Sequence, residues 1–285
     1  MNPSSQPPEI SSLIRLLDDR DSFVSDRVGD RLVELGEESV PFLEIASRGE
    51  NQTLKSRALE ILNRIAPRQL AEGFRALART SPAMDIDLEQ GVILLMQFGR
   101  PSANPDDVHQ QLDRLAEDLA PDIVQGAPAM KTVGLLTDYL FKKNGFHGNQ
   151  DNYSDPDNSY FDSVLKNKTG LPIALSILCI LIGQRLNLPI VGIGLPYHFI
   201  VKYNSATDPI LFDPFHRGRI LTPEKCSEMV QGFGVKFEEH YLLPVTHLEI
   251  LTRMIQNLVI AYQKSGEDAK VSSLKEYSQI LMSRE

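Results

Sequence analysis

His198 and Asp213 are the two residues whose types and spacing come nearest to a catalytic pair. His198-Phe199-Ile200-Val201-Lys202-Tyr203 and Ile210-Leu211-Phe212-Asp213 have the β-branched and aromatic content of strands, and Asn204 to Asp208 between them is a turn sequence. Pairing 198 with 213 closes an antiparallel hairpin in which 200 faces 211. Facing residues have Cβ atoms about 4.5–5.5 Å apart, so the imidazole and the carboxylate meet. A carboxylate so placed fixes the ring's tautomer, and the other ring nitrogen can take a proton from a nucleophile. The same pair can also simply satisfy two half-buried polar groups at a sheet end.

No other group of ligands stands out. His109, His147, His216, His240 and His247 show neither His-x-x-x-His nor His-Cys spacing, so no metal is expected. Asp151, Asp155 and Asp157 invite a calcium reading, but the run lacks the central Gly and terminal Glu of a calcium loop and reads as a turn with a helix cap. Gly192-Ile193-Gly194 runs into Leu195-Pro196 rather than a helix, which argues against a phosphate cradle. No cofactor is expected.

The elements that must position the pair are a helix and a sheet. Ser159 to Lys168 reads as an amphipathic helix that Gly170 can end in the left-handed conformation, and Pro172 has the residue type that opens the next one. That second helix, about 172–186, carries no charge until Arg185, so protein must surround it. Leu188 to Leu195 supplies a further strand. Helix followed by sheet predicts an α+β core in a mainly helical chain.

Helices flank this core. Residues 9–66 echo themselves at an offset of 30, pairing Val24 with Leu54, Arg27 with Arg57, Val28 with Ala58, Leu32 with Leu62 and Leu35 with Ile65, with Asp21 and Asn51 as N-caps. Leu13–Leu17 and Phe42–Ala46 precede the two copies, giving two helix pairs that resemble HEAT-like repeats. An unrelated four-helix unit with chance register is the alternative. Residues 67–140 are helical, centred on Ile86 to Met96, with a break at Pro101–Pro105 and a new helix from Asp106. Leu248 to Tyr262 and Asp268 to Met282 form a C-terminal pair in which Ile255, Leu258, Tyr262 and Gly266 resemble part of a tetratricopeptide unit. The expected division is 1–80, 81–242 (helical 81–143, helix plus sheet 144–242) and 243–285.

Four ordered motifs carry a further resemblance: Asp155-Pro156-Asp157-Asn158-Ser159-Tyr160; Lys168-Thr169-Gly170-Leu171-Pro172-Ile173-Ala174-Leu175-Ser176; Leu188 through Pro196-Tyr197-His198-Phe199; and Phe212-Asp213-Pro214-Phe215 with Gly218. Together they resemble the SirB branch of the transglutaminase-like superfamily over about residues 81–220. The resemblance implies a papain-like core in which a Cys at the start of the central helix, a His on one strand and an Asp on the next form a triad. His198 and Asp213 take the second and third places, and Pro172 takes the first, where no nucleophile is possible. Ser176 lies about 6 Å and Cys179 about 10 Å further along the helix. Cys179 sits among Ile177, Leu178, Ile180 and Leu181, and Cys226 has no partner in sequence, so both thiols read as packing. Asn158, Tyr160, Ser176 and Tyr197 are candidate cleft residues, and Tyr197 stands where the branch usually has Gly, with a ring able to narrow access to His198.

Composition bounds the function. The chain has 285 residues, a formal charge of -9 and two Cys, which excludes a disulfide framework and favours a reducing, cytoplasmic setting. Residues 81–160 carry 5 basic and 13 acidic groups, so no basic field exists for nucleic acid or an anionic membrane. Met1 to Pro8 lacks the features of a secretory signal and reads as a disordered lead, and the apolar run Leu171–Ile182 is short of the roughly 20 residues a span needs. The expectation is a non-catalytic scaffold that binds a protein or peptide. The alternative is a hydrolase or acyltransferase using His198 and Asp213 with Ser176 or Cys179.

Overall fold

The computed structural model describes residues 8–79, 85–101 and 103–283; all of the expected lead except Pro8 lies outside them. The described chain is mainly helical with small sheets, an α+β fold as the sequence predicts. Two compact units divide between Gly73 and Phe74.

The first unit contains α1 (Pro8–Leu16), α2 (Ser22–Leu35), α3 (Val40–Ser47) and most of α4 (Gln52–Ala78). Asp21 caps α2 by accepting from the Phe23 amide, and Asn51 accepts from the amides of Thr53 and Leu54. Val28 and Ala58, equivalent in the offset, both lie in this unit's core beside Leu32, Leu43, Ile61 and Ile65. The echo fails at the arginines. Arg57 reaches the carbonyls of Leu17 and Asp19, whereas Arg27 is exposed. Helix α4 also runs on through Pro67, so the second copy ends inside a longer helix.

The second unit holds α5 (Leu88–Gly99), α6 (Pro105–Leu119) and α7 (Ala129–Thr137), the last continuing into a π-helical turn, Asp138–Lys143. Strand β1 (His147–Gly148) pairs in parallel with β2 (Thr169–Gly170), which follows α8 (Phe161–Asn167). Helix α9 (Pro172–Arg185) is the centre of the unit: every residue from Pro172 to Gly183 is buried, which its uncharged sequence requires. It packs on β3 (Ile190–Ile193) and β4 (Ile200–Tyr203) of an antiparallel meander completed by β5 (Ile210–Asp213) and β6 (Arg219–Leu221). Ile193, Ile200, Leu211 and Leu221 pack with Cys226 and Val230 of α10 (Pro223–Gly232) in a small core. Helices α11 (His247–Ser265) and α12 (Asp268–Met282) close the unit, and α11 packs on α5 and α9.

Two local expectations are corrected. Helix α8 ends at Lys168, which takes the left-handed conformation (φ 61) itself, while Gly170 lies in β2. A Cβ at Gly170 would stand 3.2 Å from Val164 Cγ2, so the glycine supplies room rather than a turn. The hairpin register is also shifted by two: Val201 faces Phe212 and Lys202 faces Leu211, because the loop includes Asn204 through Pro209 and His198 precedes the strand. A shift of two keeps every side chain on its face, so the pair still meets.

One ion cluster joins three helices of this unit. Arg185 of α9 holds both oxygens of Glu89 on α5 at 2.7 and 2.8 Å and Asp113 of α6 at 2.8 Å, and His109 of α6 reaches Glu89 at 2.6 Å. Burial pushes the Glu89 carboxyl up, but the bonds from Arg185 and His109 outweigh it and hold its pKa below the ordinary range. A group with a depressed folded pKa stabilises above its unfolded pKa and loses that contribution as pH falls through the folded value. Glu89→Gln is therefore expected to cost about 2 kcal/mol at pH 7. In urea titrations the gap from wild type should close as pH falls from about 4.3 downward; a gap unchanged at pH 3 would contradict this account.

Candidate functional site

Asp213 ends β5 and is 1% exposed, so its carboxylate must be satisfied within the protein. Oδ1 accepts from the amides of Phe215 (3.0 Å) and His216 (3.3 Å) in the turn that follows. Oδ2 accepts from His198 Nε2 at 2.8 Å and from His216 Nδ1 at 2.7 Å. Burial pushes the Asp213 carboxyl up, but the two imidazoles more than offset it and hold its pKa below the usual range. The pair read from the sequence is thus part of a His–Asp–His network. In the sequence His216 is one more scattered histidine; its position three residues after the Asp, in a turn, is the signal that marks it.

His198 follows a tight turn. Its amide donates to Leu195 O at 3.2 Å, and Arg253 of α11 clamps the turn by donating to Leu195 O (2.9 Å) and His198 O (2.8 Å). Tyr197 in this turn is left-handed (φ 60). That conformation costs a residue with a Cβ about 1–2 kcal/mol, which is why glycine suits the place. The Tyr197 side chain is 69% exposed and its ring lies 5.3 Å from that of Phe233. The two rings stand at the edge of a cavity of about 630 Å³, which Pro172, His198 and His216 also line.

Pro172, the first residue of α9, faces this cavity. Ser176 and Cys179 are both fully buried and are not among the residues lining it. Ser176 Oγ has no hydrogen-bond partner, and burial pushes the Cys179 thiol far up. Burial, with the Asp213 charge adding to it, raises Cys226 to about 11. Asn158 and Tyr160 lie off the cavity as well. Asn158 donates to Asn152 O at 2.7 Å and accepts from Asn149, pinning the loop before α8, and the Tyr160 hydroxyl meets that of Tyr262 at 2.6 Å. Asp155 caps the turn Pro156–Asn158 by accepting from the Asp157 amide, and Asp157 pairs with Arg100.

His198, Asp213 and His216 bring three donor atoms within 4.8 Å of one another, the one such group among the described residues that offers a metal's ligand types. Their contacts are hydrogen-bond lengths, with one carboxylate oxygen accepting from both rings. In this geometry the three groups satisfy one another.

Central helix, His-bearing turn and Asp-bearing strand follow one another in the order that the sequence resemblance implies. The transglutaminase-like superfamily matches residues 106–256, more than half of the chain, and the chain belongs to it. A UPF0162 protein of Xylella fastidiosa (strain 9a5c) is 37% identical over 134 residues, covering 45% of this chain and 48% of the relative. A UPF0162 protein of Pseudomonas aeruginosa is 26% identical over 185 residues, 64% of this chain and 66% of the relative. Human F-box only protein 21 is 29% identical over 145 residues, 48% of this chain and 23% of that protein. The chain spans about half the length of the Xylella relatives it matches. No solved structure gives a significant match. Among the described residues no helix is long and apolar enough to cross a membrane.

Proposed function

We propose that this chain is a non-catalytic protein of the SirB branch, a cytoplasmic interaction or scaffold module whose cleft holds a protein or peptide partner without turning it over. The observation that carries this reading is Pro172 at the cleft, at the place where the superfamily's chemistry needs a thiol. The His198–Asp213 pair is read as retained architecture. The helices of residues 1–80 are read as a HEAT-like array and those of 243–285 as a tetratricopeptide-like pair, both offering surface to partners. Buried free thiols fit a reducing compartment.

The competing hydrolase or acyltransferase needs Ser176 or Cys179 within reach of His198. An unpartnered Ser176 hydroxyl and a thiol held protonated by burial speak against it. Native protein treated with iodoacetamide, or with a fluorophosphonate, is therefore expected to gain no mass, whereas unfolded protein takes iodoacetamide at both cysteines. Labelling of native Ser176 or Cys179 that His198→Ala abolishes would overturn the proposal.

A further inference from the structure

The cleft beside His198 is walled by rings, and it contains a guanidinium with no acid beside it. Phe199 and Phe215 are 2% and 8% exposed and form its buried side, while Tyr197 and Phe233 stand open at its edge. Arg253 projects from α11 with its guanidinium 5.4 Å from the centre of the Phe199 ring. One terminal nitrogen, Nη2, makes both carbonyl bonds of the clamp described above; Nε and Nη1 have no protein acceptor among the described residues. No Asp or Glu lines the cavity, and the nearby Asp213 is already occupied by two imidazoles. Gln256 and Asn257, three and four residues after Arg253, extend the same polar wall of α11.

An arginine half-buried among aromatic rings without a counter-ion is incompletely compensated, and a carboxylate oxygen can accept from a donor it leaves over, Nε or Nη1. We infer that this cleft binds an apolar carboxylate, with its hydrocarbon body against the rings and its carboxylate on Arg253. A single charge is favoured over a phosphorylated ligand, because one guanidinium serves it, no lysine lines the cavity, and the chain's net charge of -9 repels polyanions. The inference rests on reading the cleft as a binding site without turnover, and it names the ligand class. A free aryl or alkyl acid and the C-terminal end of a peptide share this chemistry.

Calorimetric titration of the full chain with N-acetylphenylalanine and with its amide tests it. The acid is expected to bind at least about tenfold more tightly than the amide, the value of a charge-assisted bond. Arg253→Met should bind acid and amide alike, Arg253→Lys should retain most of the preference, and Tyr197→Ala should weaken both ligands together. Should Arg253→Met fail to fold by circular dichroism, the wild-type acid-to-amide ratio and Arg253→Lys still decide. Equal binding of acid and amide by wild type overturns the carboxylate while leaving the cleft reading intact. Binding of neither, or a preference untouched in folded Arg253→Met, also overturns the inference. A tetrapeptide ending in Phe separates the sources: tighter binding than N-acetylphenylalanine assigns the site to a chain end, and no gain assigns it to a free acid. Cleavage of that peptide would instead overturn the non-catalytic reading.

Discussion

Asp213→Ala is expected to lower folding stability by about 3–5 kcal/mol, seen as a fall in the urea midpoint with little change in slope. The carboxylate is 1% exposed and accepts from two backbone amides and two imidazoles, so its removal strands several donors at once. His198 Nε2 and the amides of Phe215 and His216 all lose their partner. His216→Ala should cost only about 1 kcal/mol, because its side chain is 46% exposed and water replaces the bond. A loss below 1 kcal/mol for Asp213→Ala would mean that the network does not hold the hairpin end, and the case for retained architecture would fall with it.

Gly99→Ala is expected to cost roughly 2–4 kcal/mol, although it adds a single methyl group to the end of a helix. A Cβ there would lie 2.0 Å from Cζ of Tyr160, whose side chain is fully buried. That ring can give way only by breaking its 2.6 Å hydroxyl contact with Tyr262, which ties the segment before α8 to α11. Tyr160→Phe removes the hydroxyl without the clash and should cost about 1–2 kcal/mol, the value of the lost contact with Tyr262. Comparing the two by thermal unfolding separates overpacking from the lost bond; equal losses would mean that the methyl group is accommodated and only the hydrogen bond matters.

The parts of this fold set by local chemistry were legible in the sequence. The charge-free run after Pro172 gave α9 and its burial, Asp21 and Asn51 gave their caps, and strand composition located β3, β4 and β5. What the sequence left hidden was contributed by distant segments. Arg253 clamps a turn 55 residues away, and Tyr262 meets a tyrosine 102 residues away, so no local pattern marks either. The hairpin register is shifted because Pro209 lies in the loop, and the left-handed site at the end of α8 is Lys168, a residue type that carries no such signal, rather than the glycine two residues on. At the site, the His and Asp were readable as types, whereas His216 became visible only once the turn after β5 folded it back onto Asp213.

The exposed Tyr197 ring at the cleft has an optical consequence. The chain contains no tryptophan and eight tyrosines, and Tyr153 and Tyr197 both line this one cavity. Ultraviolet emission from the molecule is therefore tyrosine emission, with no indole to drain it by energy transfer. A guest that covers these phenols alters the light they return, and the protein reports its own occupancy without a dye.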